Sequence, residues 1–322
     1  MDQLVKYTNT VEEALSKIQL PKEPNDLYDP LRYILTLGGK RIRPILTLLG
    51  AELFDVNKEE VINQALAIEI FHNFTLIHDD IMDQAPLRRN KPTVHEKWNE
   101  NVGILSGDAL LIVAYQYICK AEASKLAPLI TLFNQTALEV CEGQQMDMDF
   151  ESRMDVTTAE YIEMIRLKTS VLLGCALKMG AVMADASEVD QANLYDFGVN
   201  IGIAFQIQDD ILDLYADPDK FGKQVGGDVI ANKKTILYLT AISNSNGPQM
   251  EVLRQLQNEE NIELKLNRTK EVFDHLKVQS ACKDLMNHHF NLAMVSLDKI
   301  SVSETRKKAL KGLAAFLMNR EN

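Results

Sequence analysis

Cysteine is scarce: four residues in 322 (Cys119, Cys141, Cys175, Cys282), no two at the spacing of a metal-ligand pair. That pattern excludes a disulfide framework and a zinc module and fits a reducing compartment. Glycine and proline are also few, 15 and 9. No Pro/Ser-rich linker divides the chain, so residues 1–322 read as one domain. Basic charge is outweighed, 34 Lys and Arg against 46 Asp and Glu. The resulting net charge of −12 argues against a general nucleic-acid binder, whose phosphate contacts need a basic face. It leaves room for an anionic substrate, because a metal ion inverts the local sign. A long hydrophobic run is missing as well. The most apolar stretch, Ala109–Ile118, is far short of the roughly 20 residues that span a bilayer. The N-terminus, MDQLVKYTNTVEEALSKI, is acidic and amphipathic, unlike a signal peptide. A cytoplasmic protein with no membrane insertion is expected.

What the chain has in abundance is helical period. Ile62, Leu66, Ile70, Phe74 and Ile77 recur at steps of three and four. Similar patterns cover Val102–Glu122, Leu126–Gly143, Thr158–Met183, Val189–Tyr215, Val229–Ser243 and most of Glu263–Met318. No sustained alternation of period two occurs, so the expected fold is all-α. Thr169–Ala184 is apolar on more than one face, which suits a helix in the middle of a bundle. The breaks in the pattern, Leu37–Pro44, Asp83–Pro92 and Asp217–Asp228, all carry basic residues.

The first of two acidic clusters closes an apolar helix as LIHDDIMD. Asp79 and Asp83 stand at i, i+4 and share a helical face, where two carboxylates repel unless a cation lies between them. Oxygen ligands so placed suit Mg²⁺, which takes one or two carboxylates and fills its shell with water and substrate phosphate. Asp80 is rotated away, toward a supporting partner. A single D-D-x-x-D is equally a solvated helix end. Arg88 and Arg89, beyond a Pro-containing turn, add guanidiniums whose fork matches phosphate oxygens. Downstream the pattern recurs: Asp209 and Asp213 at i, i+4, Asp210 beside them, then a basic loop with Lys220, Lys223, Lys233 and Lys234. Two such ends facing each other over apolar helices would bind a diphosphate head with a hydrocarbon tail. Lys40 and Arg43, at i, i+3 beside Pro44, make an anion site at a helix start; a solvated basic turn is the bland alternative. His72, two turns before Asp79, reads on its own as a core histidine. Gln144 and Asp147 read as supporting or structural groups, and Thr169 as a residue that caps or back-bonds in its helix.

In order, the motifs are G-G-K-x-x-R-P (Gly38–Pro44), D-D-x-x-D with R-R (Asp79–Arg89), G-Q-x-x-D (Gly143–Asp147), K-T (Lys168–Thr169), F-Q-x-x-D-D-x-x-D (Phe205–Asp213), Lys223 and G-G-D (Gly226–Asp228). The chain thereby resembles the trans-isoprenyl diphosphate synthases, the polyprenyl synthase family, over nearly its whole length. The resemblance implies an all-α bundle around a central apolar cavity, usually a homodimer. It implies three Mg²⁺ ions, two held by Asp79 and Asp83 with Asp80 in support, and the third by Asp209 with Asp210 and Asp213 nearby. Arg88, Lys168, Thr169, Gln206, Lys223 and Lys233 would hold the allylic diphosphate, with Lys234 adjoining the last. Lys40, Arg43, His72 and Arg89 would hold isopentenyl diphosphate.

The tail of the product should run beside the helix that ends at Asp79. Phe74, five residues back, lies about 7.5 Å deeper, where a phenyl ring facing the tail would act as a floor; Thr75 is small. By the resemblance, one aromatic here and no insertion in the first motif look like the geranylgeranyl type, C20. A C15 product, a longer-chain synthase and a class I terpene cyclase are the alternatives. The cyclase would lack the second D-D-x-x-D and the Gly38–Pro44 site.

Overall fold

The structure, a computed structural model, describes residues 2–216 and 225–318. Its elements run α1 (Asp2–Ser16), α2 (Asn25–Thr36), α3 (Ile42–Glu52), α4 (Lys58–Met82), β1 (Leu87–Arg88), β2 (Lys91–Pro92), α5 (Val94–Lys97), α6 (Glu100–Ile118), α7 (Ala123–Ser152) and α8 (Thr158–Ile165). A π-helical turn, Arg166–Ser170, leads into α9 (Val171–Met183) and α10 (Glu188–Tyr215). After the gap come α11 (Gly227–Ile230), α12 (Ile236–Asn244), α13 (Gly247–Gln257), α14 (Ile262–His275), α15 (Val278–Asp298) and α16 (Glu304–Met318). The fold is all-α, as the periodicity predicts; the one strand pair among the described residues lies in the basic break after α4.

Two compact units emerge, Met1–Asn134 with Cys175–Leu194 and Ser301–Ala309, and Gln135–Gly174 with Tyr195–Ile300 and Leu310–Asn322. In the first unit α4 is the central helix, packed against α3 and α6. Residues 64–71 of α4 are buried on every side of the helix, Gln64 and Glu69 included. A helix enclosed all round has no solvent face to spend on charge, so its acids collect at the end that emerges. Helix α6 is apolar over more than Ala109–Ile118: an 18-residue window within it has mean hydropathy 1.2, so by length and composition alone it is long and apolar enough to cross a membrane. In this unit Gly103, Ser106, Gly107, Leu110, Val113, Ala114 and Ile118 of α6 are buried.

In the second unit Ile203, Ile207, Ile211 and Leu214 of α10 enter a core shared with Tyr161, Met164, Ile165, Ile236, Phe273 and Cys282. The step of four places this stripe on one side of α10 and leaves Asp209 and Asp213 half-buried beside it. The helical stretch expected over Thr158–Met183 is interrupted by the π turn, a one-residue widening that a period of 3.6 does not reveal.

Candidate active site

Helix α4 ends in a Schellman motif: Ala85 N donates to Asp80 O at 2.9 Å and Gln84 N to Ile81 O at 3.2 Å, with Gln84 left-handed at φ 50°. Asp83 is the C-cap, its amide donating to Asp79 O at 2.8 Å. Asp79 is half-buried and Asp83 exposed. Both carboxylates therefore stand at the negative end of a helix dipole, the end where anions are destabilising. Asp80 points the other way, is 1% exposed, and accepts a forked pair from Arg88: Nε to Oδ2 at 2.8 Å and NH2 to Oδ1 at 2.7 Å.

That fork is delivered by a hairpin. β1 and β2 pair Leu87 with Pro92 and Arg88 with Lys91. The two residues between, Arg89 and Asn90, are left-handed at φ 52° and 61°, the signature of a type I′ turn. The turn swings Arg89 over Gly39: a Cβ built on Gly39 would lie 2.9 Å from the guanidinium, and its φ of 143° is open to glycine alone. Arg43 donates from NH1 to His72 Nε2 at 3.2 Å, which leaves the ring's own proton on Nδ1. Arg43, His72 and Arg89 thus form one basic pocket in the first unit, and Lys40 lies exposed on the turn beside it. Burial pushes His72 well below its ordinary value, and Arg43 and Arg89 push it further. Arg43 and Arg89 are lowered too, by burial first, yet both remain cations.

A testable consequence follows for His72. Its folded state takes up a proton less readily than its unfolded state, so stability contributed at neutral pH is lost as the pH falls through about 6.5. In an NMR titration of the free protein the His72 ring takes up its proton at clearly lower pH than an unperturbed imidazole. Saturating pyrophosphate, by offsetting the arginines, moves its midpoint upward. An ordinary midpoint in the free protein, unmoved by pyrophosphate, would contradict this electrostatic picture.

The second cluster is built differently. Asp210, 5% exposed, accepts the Tyr161 hydroxyl at 2.5 Å and, more weakly, Gln206 Nε2 and the Ile236 amide at 3.5 Å each. Burial pushes Asp210 up to about 8, against the pull of these donors, and the charge of Asp228 adds to the rise. Asp210 is thus a structural bridge between α8, α10 and α12. Asp213 accepts the Asp228 amide at 3.0 Å, tying the G-G-D turn to the end of α10. Lys233 is exposed, with Nζ 3.9 Å from Asp228 Oδ1. Lys234 instead caps α7, donating to the carbonyls of Phe150 and Glu151 at 2.7 and 2.9 Å. Lys223 and Lys220 lie outside the described residues.

Lys168 sits in the π turn and donates from Nζ to Asp147 Oδ2 at 2.5 Å. The turn lies directly on Gly143, where a Cβ would meet the Lys168 backbone nitrogen at 2.2 Å. Gly143, Asp147 and Lys168 are therefore one packed unit, and Thr169 lies half-buried in the same turn.

A polyprenyl synthetase family model matches residues 24–275. The chain belongs to that family. It is 38% identical over 294 residues to a geranylgeranyl diphosphate synthase of Saccharolobus solfataricus, covering 89% of this chain and 88% of the relative. It is 42% identical over 250 residues to a geranylfarnesyl diphosphate synthase of Natronomonas pharaonis, covering 72% and 73%. A crystal structure of a geranylgeranyl pyrophosphate synthase superposes over 100% of both chains with a TM-score of 0.95 at 46% identity.

The family is Mg²⁺-dependent. Among the described residues no group of three His, Cys, Asp or Glu converges on a metal position. The donor sets nevertheless fit Mg²⁺: each helix end offers an i, i+4 carboxylate pair held against its own dipole, and water and phosphate supply the remaining oxygens. Phe74 is half-buried. Its ring lies 5.5 Å from Phe71 and 4.8 Å from His78. The Thr75 hydroxyl back-bonds to His72 O at 2.9 Å.

Three supporting residues escape a reading by motif. Arg41 and Glu69 are buried and pair with each other 28 positions apart, and buried Tyr161 holds Asp210 from 49 positions away. The only local signal was an acid, Glu69, inside the longest apolar run of α4.

Proposed function

We propose that the chain is a short-chain trans-prenyltransferase that condenses isopentenyl diphosphate with an allylic diphosphate and releases geranylgeranyl diphosphate (C20). Two carboxylate pairs at helix C-termini, with a basic pocket of Arg43, His72 and Arg89 on the chain that carries the first, support the reading most strongly. Asp79 and Asp83 would hold two of three Mg²⁺ ions and Asp209 the third. When bound, these ions neutralise charge that develops on the departing diphosphate.

The chain's own residues do the rest. Lys168, Lys233 and Lys223 meet allylic diphosphate oxygens, with Thr169 and Gln206 beside them and the outer edge of Arg88 available once its inner edge is spent on Asp80. These cations stabilise negative charge as the allylic C–O bond breaks, an effect worth most in a site closed to water. Arg43, Arg89 and Lys40 hold isopentenyl diphosphate with its double bond toward C1 of the allylic fragment, and neutral His72 accepts from Arg43 without adding charge. The double bond attacks C1, and a proton leaves the resulting cation for the released diphosphate. No aspartate is needed as the base. The chain works as one domain, in the cytoplasm, without membrane insertion or nucleic acid. It pairs as a homodimer: Ile104, Leu105 and Ile112 of α6 are exposed, at 47%, 58% and 58%, an apolar face that a second copy would cover.

The C20 product is supported by Phe74 and by the relatives that carry that name. The geranylfarnesyl relative favours C25 as the second reading. Phe74→Ala is expected to lengthen the product by one or more isoprene units; an unchanged product distribution from pure variant would remove Phe74 as the floor. The activity itself is tested by consumption of labelled isopentenyl diphosphate with dimethylallyl, geranyl or farnesyl diphosphate. Turnover that needs Mg²⁺ and stops with EDTA supports the proposal. Consumption of an allylic diphosphate without isopentenyl diphosphate would identify a cyclase instead.

A further inference from the structure

We propose that Glu69, which lies in none of the motifs, is a positioning residue that sets the geometry of the isopentenyl diphosphate pocket as its buried counter-ion. The inference rests on the prenyltransferase reading and deepens it. Glu69 stands three residues before His72 on α4, so the two share a face. It is 2% exposed. Its Oε1 accepts Arg41 NH1 at 2.5 Å and Asn73 Nδ2 at 3.3 Å.

Arg41 has no edge left for a ligand. Its side chain is fully enclosed, with Nε donating to Glu12 at 2.7 Å and NH2 to the Leu35 carbonyl at 2.9 Å. What it does is anchor the turn that carries Lys40 and leads into α3, where Arg43 stands in the first turn. The backbone there is costly to hold: Gly38, Gly39 and Arg41 all have positive φ, and Arg41, at 49°, has a side chain to accommodate. The Glu69 and Glu12 carboxylates keep Arg41 in that conformation.

Glu69 also acts on the groups that face the substrate. Burial lowers Arg43 and Arg89, Arg89 opposes Arg43, and the charge of Glu69 works against the fall in both. Confining Arg41, Arg43 and Arg89 around a neutral histidine needs a fixed negative charge that does not compete for the ligand. A carboxylate on the surface would be solvated and mobile, and one in the pocket would repel diphosphate. A carboxylate buried behind the pocket on α4 meets both conditions.

Removing that charge has two opposed effects. A more positive pocket attracts diphosphate more strongly. An Arg41 left buried without its partner lets the strained turn relax and displaces Arg43. Breaking one side of a buried ion pair costs more than a distant change of charge returns, so displacement wins.

The test is Glu69→Gln, an isosteric change, with the two substrates' KM values measured separately and thermal stability recorded. The expected result is a rise in KM for isopentenyl diphosphate of about 10-fold or more, with KM for the allylic diphosphate unchanged. Equal shifts in both KM values, or a fall in stability with neither KM changed, would make Glu69 merely structural and overturn the inference. Tighter binding of isopentenyl diphosphate would overturn it as well, because charge would then outweigh position. Should Glu69→Gln fail to fold, Glu12→Gln removes the outer partner of Arg41; the same one-sided rise in KM, smaller in size, is expected, and its absence in folded protein would overturn the inference. A wild-type protein that consumes no isopentenyl diphosphate refutes the prenyltransferase reading itself, a result distinct from any of these.

Discussion

Asp83→Ala is expected to lower prenyl transfer by about 10²–10³-fold, the range seen when one group stabilising developing charge is removed, while the free protein becomes no less stable. The two halves of that result come from one fact. Asp83 is exposed at the C-cap of α4, where its charge opposes the helix dipole. Loss of a carboxylate there returns about 0.3–1 kcal/mol. A residue placed for folding would show the reverse, a less stable protein with turnover reduced only in proportion to the unfolded fraction. Thermal denaturation without Mg²⁺ and steady-state turnover with it separate the two. A variant that keeps wild-type turnover would show that the first cluster is a solvated helix end.

Gly143→Ala is expected to have a large effect for the addition of a single methyl group. The added carbon would lie 2.2 Å from Lys168 N and 2.7 Å from Lys168 Cα, both backbone atoms that cannot rotate away. The π turn has to move off α7, and the 2.5 Å contact of Lys168 with Asp147 goes with it. Overpacking of this kind costs about 1–3 kcal/mol, and KM for the allylic diphosphate rises as Lys168 is displaced. Gly312→Ala is the control: nothing lies within 4 Å of a Cβ at that position, so the helix gains up to about 1 kcal/mol and activity is unchanged. A Gly143→Ala enzyme with wild-type stability and KM would contradict the account of the π turn.

These residues also mark what could be read before the structure. The helices were legible because their apolar positions recur at 3.6, and the acidic clusters because i, i+4 carboxylates are intelligible without knowing their neighbours. The turn after α4 was legible from its proline, but the return of Arg88 to Asp80 was not, because nothing in the sequence distinguishes a guanidinium aimed at phosphate from one spent on a carboxylate. The π turn was not legible either, because one residue of extra winding leaves the polarity pattern of Thr158–Met183 intact, and Gly143, on which it packs, lies on another helix. Lys233 and Lys234 could not be told apart by type: only the carbonyls at the end of α7 distinguish the cap, Lys234, from its exposed neighbour. Arg41 was hidden for the opposite reason. In a stretch with Lys40 and Arg43 it looks like one more solvated base, and its burial depends on Glu12 and Glu69, each 28 or 29 residues away. A motif records which residue types chemistry needs; the long-range partners that hold them are set by packing.

The most direct measurement incubates the purified protein with Mg²⁺, isopentenyl diphosphate and dimethylallyl diphosphate and reads product length by mass spectrometry. The account predicts a dominant C20 diphosphate, dependent on Mg²⁺. No prenyl product with this or any longer allylic starter would contradict it.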